Sequence, residues 1–561
     1  MTEAAAELVE ILADEGVGHL FMNPGTDTAP IQEALAAARA AGTPHPDTIL
    51  CIHEHVALSA AIGHHLLSGR PQAVLVHVDA GTLNVGGALH NAQRNGTPVV
   101  IMAGRSPYTV DRSVPGHRDN PIHWQQEQLD QPASMRAYAK WAMEVPRGRE
   151  LGRIVRRAFH VAESEPTGPC YLMLPREALM EPAGPAAARL TRPCPPAPDP
   201  RGLARLAQLL ADAERPVVVT GRVGRRPESV DVLVRISELL GTPVLDDRDR
   251  LNFPGEHPLY AGRDGTRFLA AADAVLVVDS EVPWVPAVAS PPPDAALLQI
   301  DIDPAKPSMP MWDFPMTVSL TADSAIALPL LEAALCDLAE PRRERWSHRR
   351  LEAEAAVADV HAQWRRAAEP GGSPADAAEA FLAELDRALP PDVVVFDEAV
   401  TNRAACVRQL HRSPGRYFQA GAPSLGWAIG AAVGARLARP DLPLVAVCGD
   451  GAFNFGVPTA ALWTAHRAGA PFVTVILDNR SYHASKLPVA RLYPEGAAVR
   501  HGDFPETQLQ PALDYVGLAQ ACGGEGEVVS RPAEMGPALE RALASTASGK
   551  CVVLDVQLPG L

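Results

Sequence analysis

The sequence contains no CxxC pair and no dense cysteine framework; its 8 cysteines, at positions 51, 170, 194, 336, 406, 448, 522 and 551, are scattered. That spacing indicates neither a zinc cluster nor a disulfide scaffold, and most of the thiols are expected in core packing. No uncharged apolar run reaches the roughly 18 residues that a membrane-spanning helix needs. The opening segment, MTEAAAELVEILADEG, has Glu3, Glu7 and Glu10 where a secretory leader would carry a basic patch, so a cytoplasmic chain is expected. Positive charge is also short. The 66 acidic side chains outnumber the 50 basic ones and give a formal net charge of -16. A nucleic acid or an anionic membrane would bind against that field, and neither is expected as a partner.

What the chain does have is length and apolar content: 561 residues, 47% of them hydrophobic, enough for three or four domains with large cores. Leu8, Ile11 and Leu12 recur at helical spacing before an apolar stretch from Val17 to Met22 that breaks at Asn23-Pro24-Gly25. Further strand-like runs are AVLVHV (73–78) and PVVIMAG (98–104), with alanine- and leucine-rich helical material between Val56 and Leu67. A second set comprises PVVVTG (216–221), PVLDD (243–247), AVLVVD (274–279) and LLQIDID (297–303), and a third VVVFDE (393–398), LVAVCGD (444–450), FVTVILDN (472–479) and CVVLDV (551–556). Apolar strands alternating with amphipathic helices predict an α/β protein with mainly parallel sheets. The proline-rich stretch 183–200 reads as a linker. The expected organisation is three consecutive α/β domains, 1–185, 200–340 and 370–561. A charged helical linker over 341–369, with Trp346 and Trp364 as anchors, precedes the last, and the Pro370-Gly371-Gly372 break ends it. There is no sequence repeat, so any kinship of the first and third domains is expected to be structural.

The most informative stretch is 442–486. One apolar strand runs into Gly449-Asp450-Gly451 and another into Asp478-Asn479. Ligands collect at the carboxyl ends of parallel strands, so Asp450 and Asn479 can converge there. A carboxylate, an amide oxygen, a backbone carbonyl and phosphate oxygens suit Mg²⁺, and the glycines admit close approach of a phosphate to a helix N-terminus. Alone, the GDG triplet reads first as a common Asp-Gly turn. Residues 444–483 as a whole resemble the diphosphate and metal motif of thiamine diphosphate enzymes. By that resemblance Asp450 and Asn479 supply side-chain ligands to Mg²⁺ and Ser481 its carbonyl, while Gly449, Gly451, Ala452 and Tyr482 border the cofactor. Two departures stand out: the family's doubled Asn is Asp478-Asn479 here, and the interval is about two residues longer, around Phe455 to Thr459.

In the first domain Glu54 lies between His53 and His55, before a predicted apolar helix. On its own it reads as a capping or surface carboxylate. The span 51–104 resembles the pyrimidine-binding domain of acetolactate synthases, benzoylformate decarboxylase and pyruvate decarboxylases. Glu54, Gly81 and Asn84 match its motif, with Asn23, Pro24, Gly25 and Thr26 as the preceding turn. The resemblance implies that Glu54 lies against the aminopyrimidine of a cofactor held mainly by another subunit of a homo-oligomer. There its acid proton favours the imino form that removes the thiazolium C2 proton. YFQAGAPSLGWAIGAAVG (417–434) is similar to the family's cofactor-holding stretch, with Leu425 as the prop of the bent cofactor and the Pro423 carbonyl as an acceptor; core leucine is the alternative for Leu425. FDEAVTNR (396–403) matches the strand end beside the diphosphate, making Glu398, Val400 and Thr401 neighbours.

The implied reaction is non-oxidative decarboxylation of a 2-keto acid, with release of an aldehyde or its transfer to an aldehyde or keto-acid acceptor. His77 lies where benzoylformate decarboxylase has an active-site histidine, and reads either as a proton relay or as a structural group at a strand end. His483, next to Tyr482, reads as an acid or base of the substrate channel or as an exposed histidine. AVLVVDSEVPW (274–284) departs from the flavin-holding pattern of acetolactate synthases, which argues against FAD. An acetolactate-synthase-like carboligase is the alternative, supported by Gln125-Gln126-Glu127, and a non-catalytic cofactor-binding scaffold is a third.

Overall fold

The computed structural model describes residues 2–246, 249–369, 377–421 and 424–559. The expected break at Pro370-Gly371-Gly372 and the expected acceptor at Pro423 lie outside the described residues. Seventeen strands are described, in three sheets, and every pairing between named strands is parallel.

The first sheet contains β1 (His19–Met22), β2 (Asp47–Leu50), β3 (Gln72–Val76), β4 (Val99–Arg105), β5 (Trp141–Glu144) and β6 (Cys170–Pro175), ordered β2-β1-β3-β4-β6-β5. The second contains β7 (Pro216–Thr220), β8 (Val244–Asp246), β9 (Ala274–Val278), β10 (Ala296–Asp301) and β11 (Val318–Thr321), ordered β11-β10-β9-β7-β8. The third contains β12 (Val394–Glu398), β13 (Tyr417–Gln419), β14 (Leu444–Gly449), β15 (Val473–Asp478), β16 (Glu525–Val529) and β17 (Val552–Gln557), ordered β13-β12-β14-β15-β17-β16. Adding eleven to each strand number of the first sheet reproduces the third, so the two share one topology. Each sheet reverses direction beside its first strand, between β1 and β3, β7 and β9, and β12 and β14. Crevices open there at the carboxyl ends of the strands, where open α/β sheets bind ligands.

The central strands are buried on both faces, as strands with helices above and below must be, and this explains their unbroken Val, Ile, Leu and Ala runs. The long helix Arg343–Ala367 lays Trp346 and Trp364 into the middle unit's core, and the buried Arg349 donates to the carbonyls of Leu240 and Ala213 at 2.6 and 2.7 Å. No helix among the described residues is long and apolar enough to cross a membrane.

The first and third units share a single apolar core along the helices Glu54–Ser68 and Trp427–Ala438. Their backbones nearly touch. A Cβ at Gly63 would stand 1.9 Å from the Ala431 carbonyl oxygen, and one at Gly434 would stand 1.7 Å from that of Ala60. Only glycine permits that approach, so the crossing that fixes the two crevices relative to one another is written into two residues.

Candidate functional site

Glu54 is the first residue of its helix and is buried, with His53 as the cap, whose Nδ1 accepts from the His55 N–H at 3.1 Å. Two amides hold the Glu54 carboxylate: Asn23 Nδ2 donates to Oε1 and Asn84 Nδ2 to Oε2, both at 2.9 Å. Asn23 follows β1 and Asn84 ends the short helix after β3, so the crevice of the first sheet assembles the group. Gly81 lies against it, since a Cβ there would stand 3.3 Å from Glu54 Oε1.

Beside this carboxylate is a dyad of which sequence reasoning found only one half. His77, after β3, is hydrogen-bonded through Nδ1 to Asp27 Oδ1. Asp27 is buried, and its second oxygen accepts from the Val78 N–H at 3.4 Å. Two glycines make room: a Cβ at Gly25 would meet His77 Nδ1 at 1.9 Å, and one at Gly104 would meet Asp27 Oδ2 at 1.6 Å. Val78 has φ +27°, a strained value for a β-branched residue, so the turn that aims His77 is imposed by its surroundings. The Asp27 hydrogen bond raises the His77 pKa against the opposing effect of burial. The missed signal was Asp27 itself, an acid in the same turn as Asn23-Pro24-Gly25-Thr26 with no solvent-facing role. Of that turn, Asn23, Pro24 and Gly25 are half-buried and Thr26 is exposed.

At the carboxyl edge of the third sheet, β14 and β15 are neighbours and bring Asp450 and Asn479 together as their sequence positions suggest. The Ser481 N–H lies 3.2 Å from Asp450 Oδ2 and 3.0 Å from Asn479 Oδ1, and all three residues are buried. Arg480, at φ +56°, turns the chain between Asn479 and Ser481. Gly451 leaves room for the Tyr482 ring, which a Cβ there would approach to 2.8 Å. Burial and then a hydrogen bond with Asp478 hold the Asp450 carboxyl above the ordinary range. A buried carboxylate beside an amide oxygen and a backbone carbonyl is a set of hard oxygen donors that fits a divalent cation. Asp450 also begins the helix Asp450–Phe455, with Gly449 as its cap and Ala452 in its first turn. The helix Asp450–Phe455 is separated by Gly456 and Val457, the latter at φ +48°, from the helix Pro458–Ala468. His483 opens the next helix half-buried; its Nδ1 has no partner among the described residues, and burial followed by Lys486 lowers its pKa.

The third cluster lies where the first unit meets the third. Glu398, at the end of β12, accepts from the N–H groups of Gly426, Trp427 and Ala428 at 2.8, 3.1 and 2.9 Å and so caps the helix Trp427–Ala438. Burial pushes its carboxyl up to about 7 despite those donors. His55, beside Glu54, donates through Nε2 to the Gly426 carbonyl at 3.0 Å, and Asn91 donates to that of Ser424 at 2.8 Å. Leu425, half-buried, lies between these contacts, while Val400 is 52% exposed and Thr401 half-buried at the mouth of the crevice.

Three family matches follow the same partition. Residues 2–134 match the thiamine pyrophosphate enzyme N-terminal TPP binding domain, 203–329 the central domain and 400–556 the C-terminal TPP binding domain. The chain belongs to the thiamine diphosphate-dependent enzymes. The enzyme is 29% identical over 556 residues to benzoylformate decarboxylase of Pseudomonas aeruginosa, with 96% of each chain covered. It is 28% identical over 584 residues to sulfoacetaldehyde acetyltransferase of Rhodobacter capsulatus, covering 98% of this chain and 92% of that one. Among solved structures, a thiamin diphosphate-dependent enzyme from Mycobacterium smegmatis superposes with a TM-score of 0.79 at 26% identity over the full length of both chains. Thiamine diphosphate is thus the cofactor this enzyme's two binding domains are built for.

Proposed function

We propose that the enzyme decarboxylates a 2-keto acid non-oxidatively, using thiamine diphosphate anchored by Mg²⁺. The observation that carries the proposal is the pairing of two preassembled groups. One is a buried carboxylate gripped by Asn23 and Asn84 at the crevice of the first sheet, and the other is the Asp450, Asn479 and Ser481 set at the edge of the third. Bound thiamine diphosphate supplies a nucleophilic carbon and an electron sink for the pair released with carbon dioxide. Glu54 holds the proton that the aminopyrimidine needs. Asp450, Asn479 and the Ser481 carbonyl hold the cation, and the helix start from Gly449 through Ala452 receives the diphosphate. Asn23 to Thr26, Gly81 and Asn84 border the pyrimidine, and Leu425, Glu398, Val400, Thr401 and Tyr482 border the rest. The proposal needs no flavin.

In the same proposal the enzyme is a cytoplasmic homo-oligomer with each site between subunits. Exposed apolar side chains support this: Leu83, Trp124 and Leu129 near the first crevice, and Phe455, Leu492 and Tyr493 near the third. Covering them against another copy removes them from water.

His77 acts as the proton donor to the product-forming carbon, with Asp27 as its positioning residue and His483, held neutral, as a second group of the channel. Because Asp27 raises the His77 pKa, protonated His77 is lost only as pH rises through that raised value. Asp27→Asn is therefore expected to move the alkaline limb of the kcat profile to lower pH and to cut kcat by about 10²-fold. Cofactor affinity is expected to stay within about twofold. A merely structural Asp27 would lower cofactor binding and leave the pH profile in place.

Transfer to an aldehyde or keto-acid acceptor is the second reading, favoured by Gln126. Its side chain lies beside His77 and its buried Nε2 has no partner among the described residues, leaving a donor for a second substrate. Incubating the holoenzyme with a panel of 2-keto acids, with and without an aldehyde acceptor, and identifying products by NMR tests both. Free aldehyde is the expected product, hydroxyketone formed only with acceptor supports the transferase, and no carbon dioxide from any acid overturns the proposal.

A further inference from the structure

Between the crevices of the second and third sheets lies a cavity of about 270 Å³. Gly221 and Arg222, after β7, and Ser280 and Glu281, after β9, form one wall; the turn after β12 and the end of β13 form the other. Val400 and Leu425, proposed above as cofactor neighbours, border it, so the cavity adjoins the reacting centre. We propose that it receives the side chain of the 2-keto acid and that this side chain ends in a cationic hydrogen-bond donor, a guanidinium or an ammonium. The inference rests on the decarboxylase proposal and names its substrate class.

Charge is the first argument. Among the described residues the lining holds four carboxylates, Asp249, Glu281, Asp397 and Glu398, against two guanidiniums, Arg222 and Arg403. Arg222 is already engaged, with Nε 2.9 Å from Asp249, Nη1 3.1 Å from Glu281 and Nη2 on the Arg94 carbonyl. Asp397 draws its donors from neutral groups: the Ala399 N–H at 2.8 Å, and the Tyr417 hydroxyl and Gln419 Nε2 at 2.5 Å each. Asp249 also accepts from Arg250 Nε at 3.3 Å, so the negative charge left for a ligand centres on Asp397, and an anionic tail entering beside it would meet its own sign.

The second argument is independent of charge. Gln419 is 3% exposed, and its Nε2 is committed to Asp397 and, at 3.0 Å, to the Tyr417 hydroxyl. Its Oε1 is an acceptor without a partner. Ser280 is fully buried on the opposite wall, and its Oγ likewise has none. Among the described residues both atoms lack a partner, an amide oxygen that accepts and a hydroxyl that accepts or donates; such buried polar atoms are costly and uncommon in a native protein, and an apolar tail would leave both unsatisfied. A guanidinium or ammonium brings several N–H donors and the balancing charge together.

The test compares three 2-keto acids of equal length on the holoenzyme, ending in a guanidinium, a neutral branched carbon or a carboxylate. Expected is a kcat/KM at least about tenfold higher for the guanidinium acid than for the neutral one, with the carboxylate acid lowest. Gln419→Leu, or Ser280→Ala should that variant not fold, is expected to narrow the preference. Thermal-shift titration with n-butylguanidine, which has no keto acid, reads the cavity apart from the chemistry. Preference for the neutral or the carboxylate acid overturns the cationic pocket and leaves decarboxylation standing. Stabilisation by n-butylguanidine that Gln419→Leu abolishes, with no acid turned over, keeps the pocket and removes the decarboxylase. Neither turnover nor stabilisation overturns both.

Discussion

Glu54→Gln is expected to slow exchange of the C2 proton of bound thiamine diphosphate by about 10²-fold or more, because an amide has no acidic proton to share with the aminopyrimidine. The geometry sets what else changes. Asn23 and Asn84 each present an amide donor to one oxygen of Glu54. A glutamine keeps one acceptor and turns its own NH₂ toward the other asparagine, so one of the two hydrogen bonds is lost. Stability should fall by about 1–3 kcal/mol, the cost of an unmade buried pair, while diphosphate and Mg²⁺ binding persist. Deuterium exchange followed by NMR on the holoenzyme checks this. Normal exchange in the variant would remove Glu54 from its role.

The second large effect is expected of Asp450→Ala. Without the carboxylate the cation loses its one charged protein ligand, and only the neutral Asn479 amide and Ser481 carbonyl are left to tie it and the diphosphate to the protein. Thiamine diphosphate affinity should drop by about 10²-fold even in excess Mg²⁺, whereas wild type should bind tightly with the ion and poorly without it, since Asp450 and the diphosphate then repel. Calorimetric titration reads both. Equal affinity of variant and wild type would reject the cation position. Because Asp450 begins a helix and its Oδ1 accepts from the Gly451 N–H at 2.7 Å, circular dichroism should accompany the titration to separate lost ligation from a lost cap.

Central strands were readable because burial on both faces demands an unbroken apolar run, as in β3, β9, β14 and β15. Of the edge strands only β8, a fully buried Val244–Asp246 run, was readable. β2, β5, β11, β13 and β16 each lie at the margin of a sheet; β2 and β5 are largely half-buried, β11 alternates, and β13 has three residues. None carries the run that betrays a central strand. β6 is the exception, a buried central strand of six residues closed by Pro175 and passed over.

The same physics divides the site. Asp450 and Asn479 were legible because each ends an apolar strand, and adjacent parallel strands bring their ends together. Glu54 was legible through the motif around it. Asp27 was invisible because its partner lies 50 positions away, and only the folded chain shows that Gly25 and Gly104 vacate space for the pair. Glu398 was read as a neighbour of the diphosphate, and its capping of the helix Trp427–Ala438 depends on a contact 28 to 30 positions distant.

The central claim is that two groups on different units complete one site across a subunit boundary, and mixing two nearly inactive variants tests it most directly. Glu54→Gln chains and Asp450→Ala chains, each expected to retain about 1% of wild-type activity or less at limiting cofactor, would be combined under conditions shown to exchange subunits, and keto-acid decarboxylation assayed. A mixed dimer then holds one site with both lesions and one with neither, so recovery of up to about a quarter of wild-type activity is predicted from random pairing. Demonstrated exchange with no recovery would contradict the shared site.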